Sequence, residues 1–393
     1  SQRLFRLRRN GERHTNRKKD IMKQLIFCKT LGMAWFAAAG ILLASCAKEE
    51  VQDMPEPGVK ALRFTAAAQD GWNSGVKTRG VPVETGGFHE SFGVYAGVFP
   101  SGEEWTEKSD FSNYMDRVEV KKQTETIYKT EYPYYLPGKG KSLKFFAYAP
   151  YGDESIKTAE DDRYVSFFVF LDPDAEKQVD FCLAQSDIVP GDGDGNVNLR
   201  FQHMMTGVRF VTASVPETGV LRKVSLTNMR TAAGAGIPRD GKSPATWHSW
   251  ASSNVPGLTD DKDLFANVNF TLDGTAGKAI TAENQTFMVI PESAYEDKSK
   301  IEILYDPDGT ENSGDEKTLS APVTKELLPL QMEYYMGKII TYRISIAGDE
   351  LKLTSKISDW KAAGTMWMPT APERNRGKAA PQHMVRIYKR IEI

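Results

Sequence analysis

The stretch VNLRFQHMMTGVRFV (Val197–Val211) decides how this chain is read. Its first half sets Val197, Leu199, Phe201 and His203 on one side and Asn198, Arg200 and Gln202 on the other. A strict period of two is the pattern of a strand with one face buried and the other in water. After Met204 and Met205 the segment GVRFVTASV (207–215) reads as a second strand.

The same rhythm extends in both directions. Upstream stand ALRFTAAA (61–68), FGVYAGVF (92–99), KSLKFFAYAPY (141–151) and YVSFFVFL (164–171). In FGVYAGVF one face carries Phe92, Val94, Ala96 and Val98; in KSLKFFAYAPY it carries Leu143, Phe145, Ala147 and Ala149. Downstream follow KVSLTNM (223–229), NVNFTLDG (267–274), TFMVIPE (286–292), KIEILYD (300–306), KIITYRISI (338–346) and LKLTSKISDW (351–360). Gly, Pro and Asp bound most of these runs, and the one helix-like window, KTLSAPVTKELLPLQ, is broken by Pro322 and Pro329. Short strands in this number predict a mainly β chain built of sandwiches. The Pro/Gly/Asp cluster VPGDGDGN (189–196) is the expected boundary, giving an N-terminal sandwich over 61–189 and a C-terminal one over 190–360.

The front of the chain has a different character. Residues 1–45 hold ten Lys/Arg and two Asp/Glu, so the remainder carries 40 basic and 50 acidic side chains, a net −10 within an overall −2. A body that acidic is unsuited to nucleic acid, whose binding rests on phosphate neutralisation. Residues 1–21 read as a non-native or upstream extension. Residues 22–45 read as a signal peptide, with Lys23 and Lys29 ahead of an apolar run from Thr30 to Ala44. That run is shorter than the roughly 20 residues a spanning helix needs. Leu43-Ala44-Ser45-Cys46 resembles a bacterial lipobox, which makes Cys46 the expected lipidation site and 46–60, with Pro55 and Pro57, a tether. The address segment takes Cys28 and Cys46, leaving Cys182 alone in the body with no internal disulfide to form.

Motifs for chemistry are absent. Asp192, Asp194, Asn196 and Asn198 imitate half of an EF-hand loop, but the twelfth position, where a bidentate Glu belongs, is His203. PGKGKS (137–142) has Tyr135 where a phosphate loop needs glycine. None of His89, His203, His248 and His383 has zinc-motif spacing. No cofactor, metal or catalytic residue is expected, and neither is an enzyme. Trp247-His248-Ser249-Trp250 leaves two readings open: Trp247 and Trp250, with Trp72, as ring faces for stacking on sugars, or as core residues in a long loop.

Taken in order, the lipobox, ALRFTA, FGVYAGVF, LKFFAYAPY, VNLRFQHMMTGVRFV, TFMVIPE, ITYRISI and ISDW resemble the fimbrillin family, the lipoprotein pilins of gut and oral anaerobes. The resemblance implies two transthyretin-like β-sandwiches, export as a lipidated outer-membrane precursor, and proteolysis behind the first strand. A strand from another subunit then fills the vacated groove. In NSGVKTRGVPVE (73–84) it points to Arg79 as the cleavage residue, with Lys77 second. In the C-terminal tail, 361–393, it points to a donor strand with Val385, Ile387, Ile391 and Ile393 on one side, although an ordinary last strand fits HMVRIYKRIEI equally. The implied partners are other fimbrial subunits and a host or bacterial surface receptor. A surface glycan-binding lipoprotein is the alternative.

Overall fold

A computed structural model describes residues 60–68, 88–124, 126–248, 261–291, 298–310, 314–323 and 336–360. Among them are twenty strands, numbered β1 to β20 along the chain, two short 3-10 turns and no α-helix. The mainly β expectation holds.

The first half is a closed ring of strands. Around it run β2 (Ser91–Pro100), β3 (Met115–Lys122), β4 (Ile127–Thr130), β1 (Arg63–Ala68), β10 (Asn196–His203), β8 (Cys182–Gln185) and β5 (Lys141–Ala149), and β5 pairs back onto β2. The two-residue β9 (Val189–Pro190) extends the far end of β5. Closure gives each of these seven strands a partner on both sides, an arrangement that limits unwanted strand pairing. Inside the ring lie the rows that alternation picks out: Phe92, Val94 and Ala96; Leu143, Phe145 and Ala147; Val197, Leu199 and Phe201.

The opposite faces of β2 and β5 are buried too. Tyr95, Phe146 and Tyr148 belong to a second, larger core. They are covered by a four-stranded sheet made of β6 (Ile156–Ala159), β7 (Tyr164–Phe170), β13 (Ala232–Pro238) and β14 (Thr246–His248). The second half adds two further four-stranded sheets. One runs β16 (Phe287–Val289), β11 (Thr206–Thr212), β19 (Lys338–Ala347), β20 (Glu350–Asp359); the other runs β15 (Asp261–Thr271), β12 (Val220–Arg230), β17 (Lys300–Asp306), β18 (Lys317–Pro322).

The expected boundary at 189–196 falls in the wrong place. That Pro/Gly/Asp cluster is a turn inside the first half, and β10, assigned to the second half by composition, completes the ring. Nor do the halves separate at the next junction. β13 leaves the second half to pair with β7 along seven residues, from Ala232↔Phe170 to Pro238↔Tyr164. Further bonds cross the junction: Met288 N donates to Gln178 Oε1 (2.6 Å) and Phe265 N to Pro173 O (2.8 Å). The described residues, from Lys60 to Trp360, accordingly fall in one compact unit. One cooperative calorimetric transition is therefore expected, with calorimetric and van't Hoff enthalpies equal. Two resolved transitions would show that the shared sheet fails to couple the halves.

Candidate functional site

β1 is the element whose placement carries functional meaning. In ALRFTA the inward row is Leu62, Phe64 and Ala66, all buried, while Arg63 and Thr65 face outward. The strand runs parallel to β10 over six pairs, Arg63↔Asn196 to Ala68↔Phe201, and antiparallel to β4 over two, Phe64↔Tyr128 and Thr65↔Ile127. Its lead-in is stapled to the loop after β4: Leu62 N donates to Tyr134 O (2.7 Å) and Leu136 N to Lys60 O (2.9 Å). Arg63 N reaches Gly195 O (2.8 Å), and Thr65 Oγ1 donates to Asn198 Oδ1 (2.6 Å). Gly195 sits at φ +85°, and a Cβ there would lie 2.6 Å from Ala61 O, so the lead-in passes only because that residue is glycine.

Phe64 fills the ring. It meets Phe145 edge-on at 5.7 Å and Phe92 at 6.3 Å. Beside it Tyr128 is wholly buried, and its hydroxyl has no hydrogen-bond partner among the described residues. Burial pushes that phenol's pKa well up. An unpartnered buried hydroxyl is costly, so the seat of β1 includes a point that gains by meeting water or a new donor.

Cys46, Trp72, Lys77, Arg79, Trp250, Val385, Ile387, Ile391 and Ile393 lie outside the described residues. Trp247 does not, and of the stacking and core readings left open for it the structure bears against stacking. It lies in β14, 6% exposed, with Nε1 donating to Met204 O (2.6 Å) and its ring against Phe181. β14 turns it inward, the second of the two readings open in the sequence. Its neighbour His248 stacks on Tyr164 at 4.7 Å and meets Ser166 Oγ through Nε2 at 3.1 Å. The imitation EF-hand loop is a turn in which Asn196 N and Nδ2 donate to Asp194, holding that carboxyl below its usual range.

Sequence reading missed two groupings. The first is Lys144 on the outer face of β5, 4% exposed, donating from Nζ to the carbonyls of Ser186 and Gly241. Burial brings its pKa down from 10.5 to about 8, against the opposing pull of Asp187 and Asp240. Between about pH 8 and 10.5 the unfolded chain therefore binds more protons at this position than the folded one, and stability rises with pH. Below pH 8 the buried charge costs about 3 kcal/mol. Above pH 10 the trend reverses, because burial raises the phenols of Tyr95, Tyr128 and Tyr148, the last to about 12, so only the unfolded chain ionises them. Denaturant midpoints are expected to peak between about pH 9 and 10. In Lys144→Met the rise above pH 8 should vanish while the fall above pH 10 persists.

The second grouping joins Asp180, Cys182 and His203. His203 Nδ1 lies 2.8 Å from Asp180 Oδ2 and 3.6 Å from Cys182 Sγ. Trp360 stacks on the imidazole at 4.6 Å, 13° from parallel. Phe201-x-His203 and the closing ISDW were visible in the sequence, but only folding puts His203 beside Trp360.

The fimbrillin-like family model matches residues 81–360. No match is found among curated proteins. Among solved structures, a fimbrial protein from Bacteroides vulgatus aligns over 77% of this chain and 99% of its own, with TM-score 0.51 and 13% identity. A candidate cell adhesion protein from Bacteroides uniformis covers 78% of this chain and 100% of its own, with TM-score 0.46 and 16% identity. The fimbrial anchor protein Mfa2 of Porphyromonas gingivalis covers 77% and 98%, with TM-score 0.28 and 13% identity. The likeness to the Bacteroides vulgatus protein is one of fold, while the family match spans most of the sequence and nearly every strand described above. This chain belongs to the fimbrillin-like family.

Proposed function

We propose that the chain is the precursor of a fimbrial subunit or adhesin that assembles by exchanging β1 for a strand of a neighbouring subunit. The observation that carries this reading is the seat of β1, a complete, buried strand between β4 and β10. It is joined to β2 by the very segment that holds Lys77 and Arg79. Cutting after Arg79 leaves β1 held by noncovalent contacts alone. Its departure uncovers Tyr128, Val197, Leu199 and Phe201 and opens the ring, and two strand edges above a bared core are a template for β-augmentation. Refilling the places of Leu62 and Phe64 returns about 1.5–3 kcal/mol for each large side chain. The family match begins at residue 81, just past Arg79, and leaves out β1.

Cys46 carries the lipid in this reading, holding the precursor at the outer membrane until cleavage frees it. The chain is a surface component without enzymatic activity, and its partners are other fimbrial subunits and a surface receptor. The tail residues Val385, Ile387, Ile391 and Ile393 are the candidate donors, with Lys389 interrupting their row. The buried alternate positions to be refilled are Leu62, ahead of β1, and Phe64 and Ala66 within it, and the tail offers a pair of apolar residues on either side of Lys389. Mass spectrometry of the cell-surface form tests the proposal. A mature end at Gly80, together with filaments containing the protein, supports it; a lipidated end at Cys46 on monomers only would sink it.

A further inference from the structure

We infer that Asp180, Cys182 and His203 form a binding site for a divalent cation of the zinc class. Cys182 opens β8, His203 closes β10, and the two are directly paired in the antiparallel ladder. Asp180 stands two residues ahead of Cys182, in the segment that leads into β8. One sulfur, one nitrogen and one carboxylate oxygen thus lie within 4.8 Å of one another. All three residues are at most 3% exposed.

Three features fit such an ion. The donor set is thiolate, imidazole and carboxylate, which favours zinc over the oxygen-seeking magnesium and calcium. The spacing is close to that of a tetrahedral site, in which bonds of about 2.0–2.3 Å put neighbouring donors about 3.3–3.8 Å apart. The 3.6 Å between Cys182 Sγ and His203 Nδ1 matches, and the 2.8 Å between Nδ1 and Asp180 Oδ2 has to open by about half an ångström. Charge balances as well: a thiolate and a carboxylate neutralise the two positive charges of the ion, with imidazole neutral, as a buried site demands.

Binding forms metal–sulfur, metal–nitrogen and metal–oxygen bonds with no change of oxidation state. The thiol proton leaves to solvent. The imidazole binds through Nδ1 as the neutral tautomer that carries its single proton on Nε2, and the contact between Nδ1 and Asp180 Oδ2 gives way to bonds from both atoms to the ion. The surroundings hold the ligands in place, since Trp360 lies flat against the imidazole and His89 Nε2 meets the Asp180 carbonyl at 2.9 Å. Because Trp360 shuts the site, the ion enters while the chain folds.

The test is to refold the full chain under reducing conditions with cobalt(II) as the probe, then desalt it. One cobalt per chain is expected, with a near-ultraviolet sulfur-to-cobalt charge-transfer band and the visible bands of a tetrahedral ion. Cys182→Ser should abolish the charge-transfer band, and His203→Gln should lower cobalt affinity by at least about tenfold. Protein that desalts free of cobalt overturns the inference, and so does a band that survives in Cys182→Ser. Should His203→Gln fail to fold, the near-isosteric Cys182→Ser decides the question by itself. Each outcome is independent of whether β1 is exchanged.

Discussion

Phe64→Ala is expected to destabilise the uncut chain by about 3–5 kcal/mol and to leave the processed chain unaffected. The size follows from complete burial and from two edge-on aromatic contacts, each adding about 0.5–1.5 kcal/mol beyond area alone. The ring is closed, so its neighbours have no room to collapse into the space. The selectivity follows from topology: once the chain is cut after Arg79 and the released segment removed, residue 64 is no longer part of the protein. Denaturant unfolding before and after limited trypsin treatment, with the peptide separated, reads both effects. Equal midpoints for variant and parent in the processed form are the expected result. A difference that survives processing means that β1 stays in its seat, and strand exchange there is excluded.

Trp247→Ala should cost a similar amount, about 3–5 kcal/mol, because a large buried ring is lost from the core. Part of that loss is the unpartnered carbonyl of Met204, which forfeits its 2.6 Å bond from Nε1. Trp247→Phe separates the contributions: it keeps much of the apolar packing and should lose about 1–3 kcal/mol for the orphaned acceptor. Unfolding free energies measured alongside a carbohydrate-binding screen discriminate core from recognition. A variant of undiminished stability that no longer binds sugars would restore the stacking role; parallel loss of both, or no sugar binding in the parent, assigns Trp247 to packing.

The strands and their inward rows were legible because burial on one side imposes a period of two, and Leu143, Phe145 and Ala147 do point into the ring. What alternation concealed was burial of the other face of the same strand, where Phe146 and Tyr148 meet the shared sheet. Of that sheet only β7, within YVSFFVFL, was readable. Its central strand β13, AAGAGIP, is small-residue sequence with little β propensity. Space explains it: a Cβ on Gly236 would lie 2.9 Å from Tyr164 Cβ and 3.1 Å from His248 Nε2. The misplaced boundary has the same origin, since a turn within one sheet and a linker between two domains draw on the same glycines, prolines and aspartates. Partnership of β1 with β10, more than a hundred residues apart, leaves no local trace. The same is true of Asp180, Cys182 and His203, which are assembled by ladder register.

Only Met204 and Met205 link β10 to β11, yet the polypeptide returns at β13 to knit with β7. A pull along the chain from one half to the other is therefore not borne by two methionines. It falls on seven paired residues and on the aromatic layer beneath them. Under tension the two halves should lengthen together, yielding in a single event rather than one module at a time.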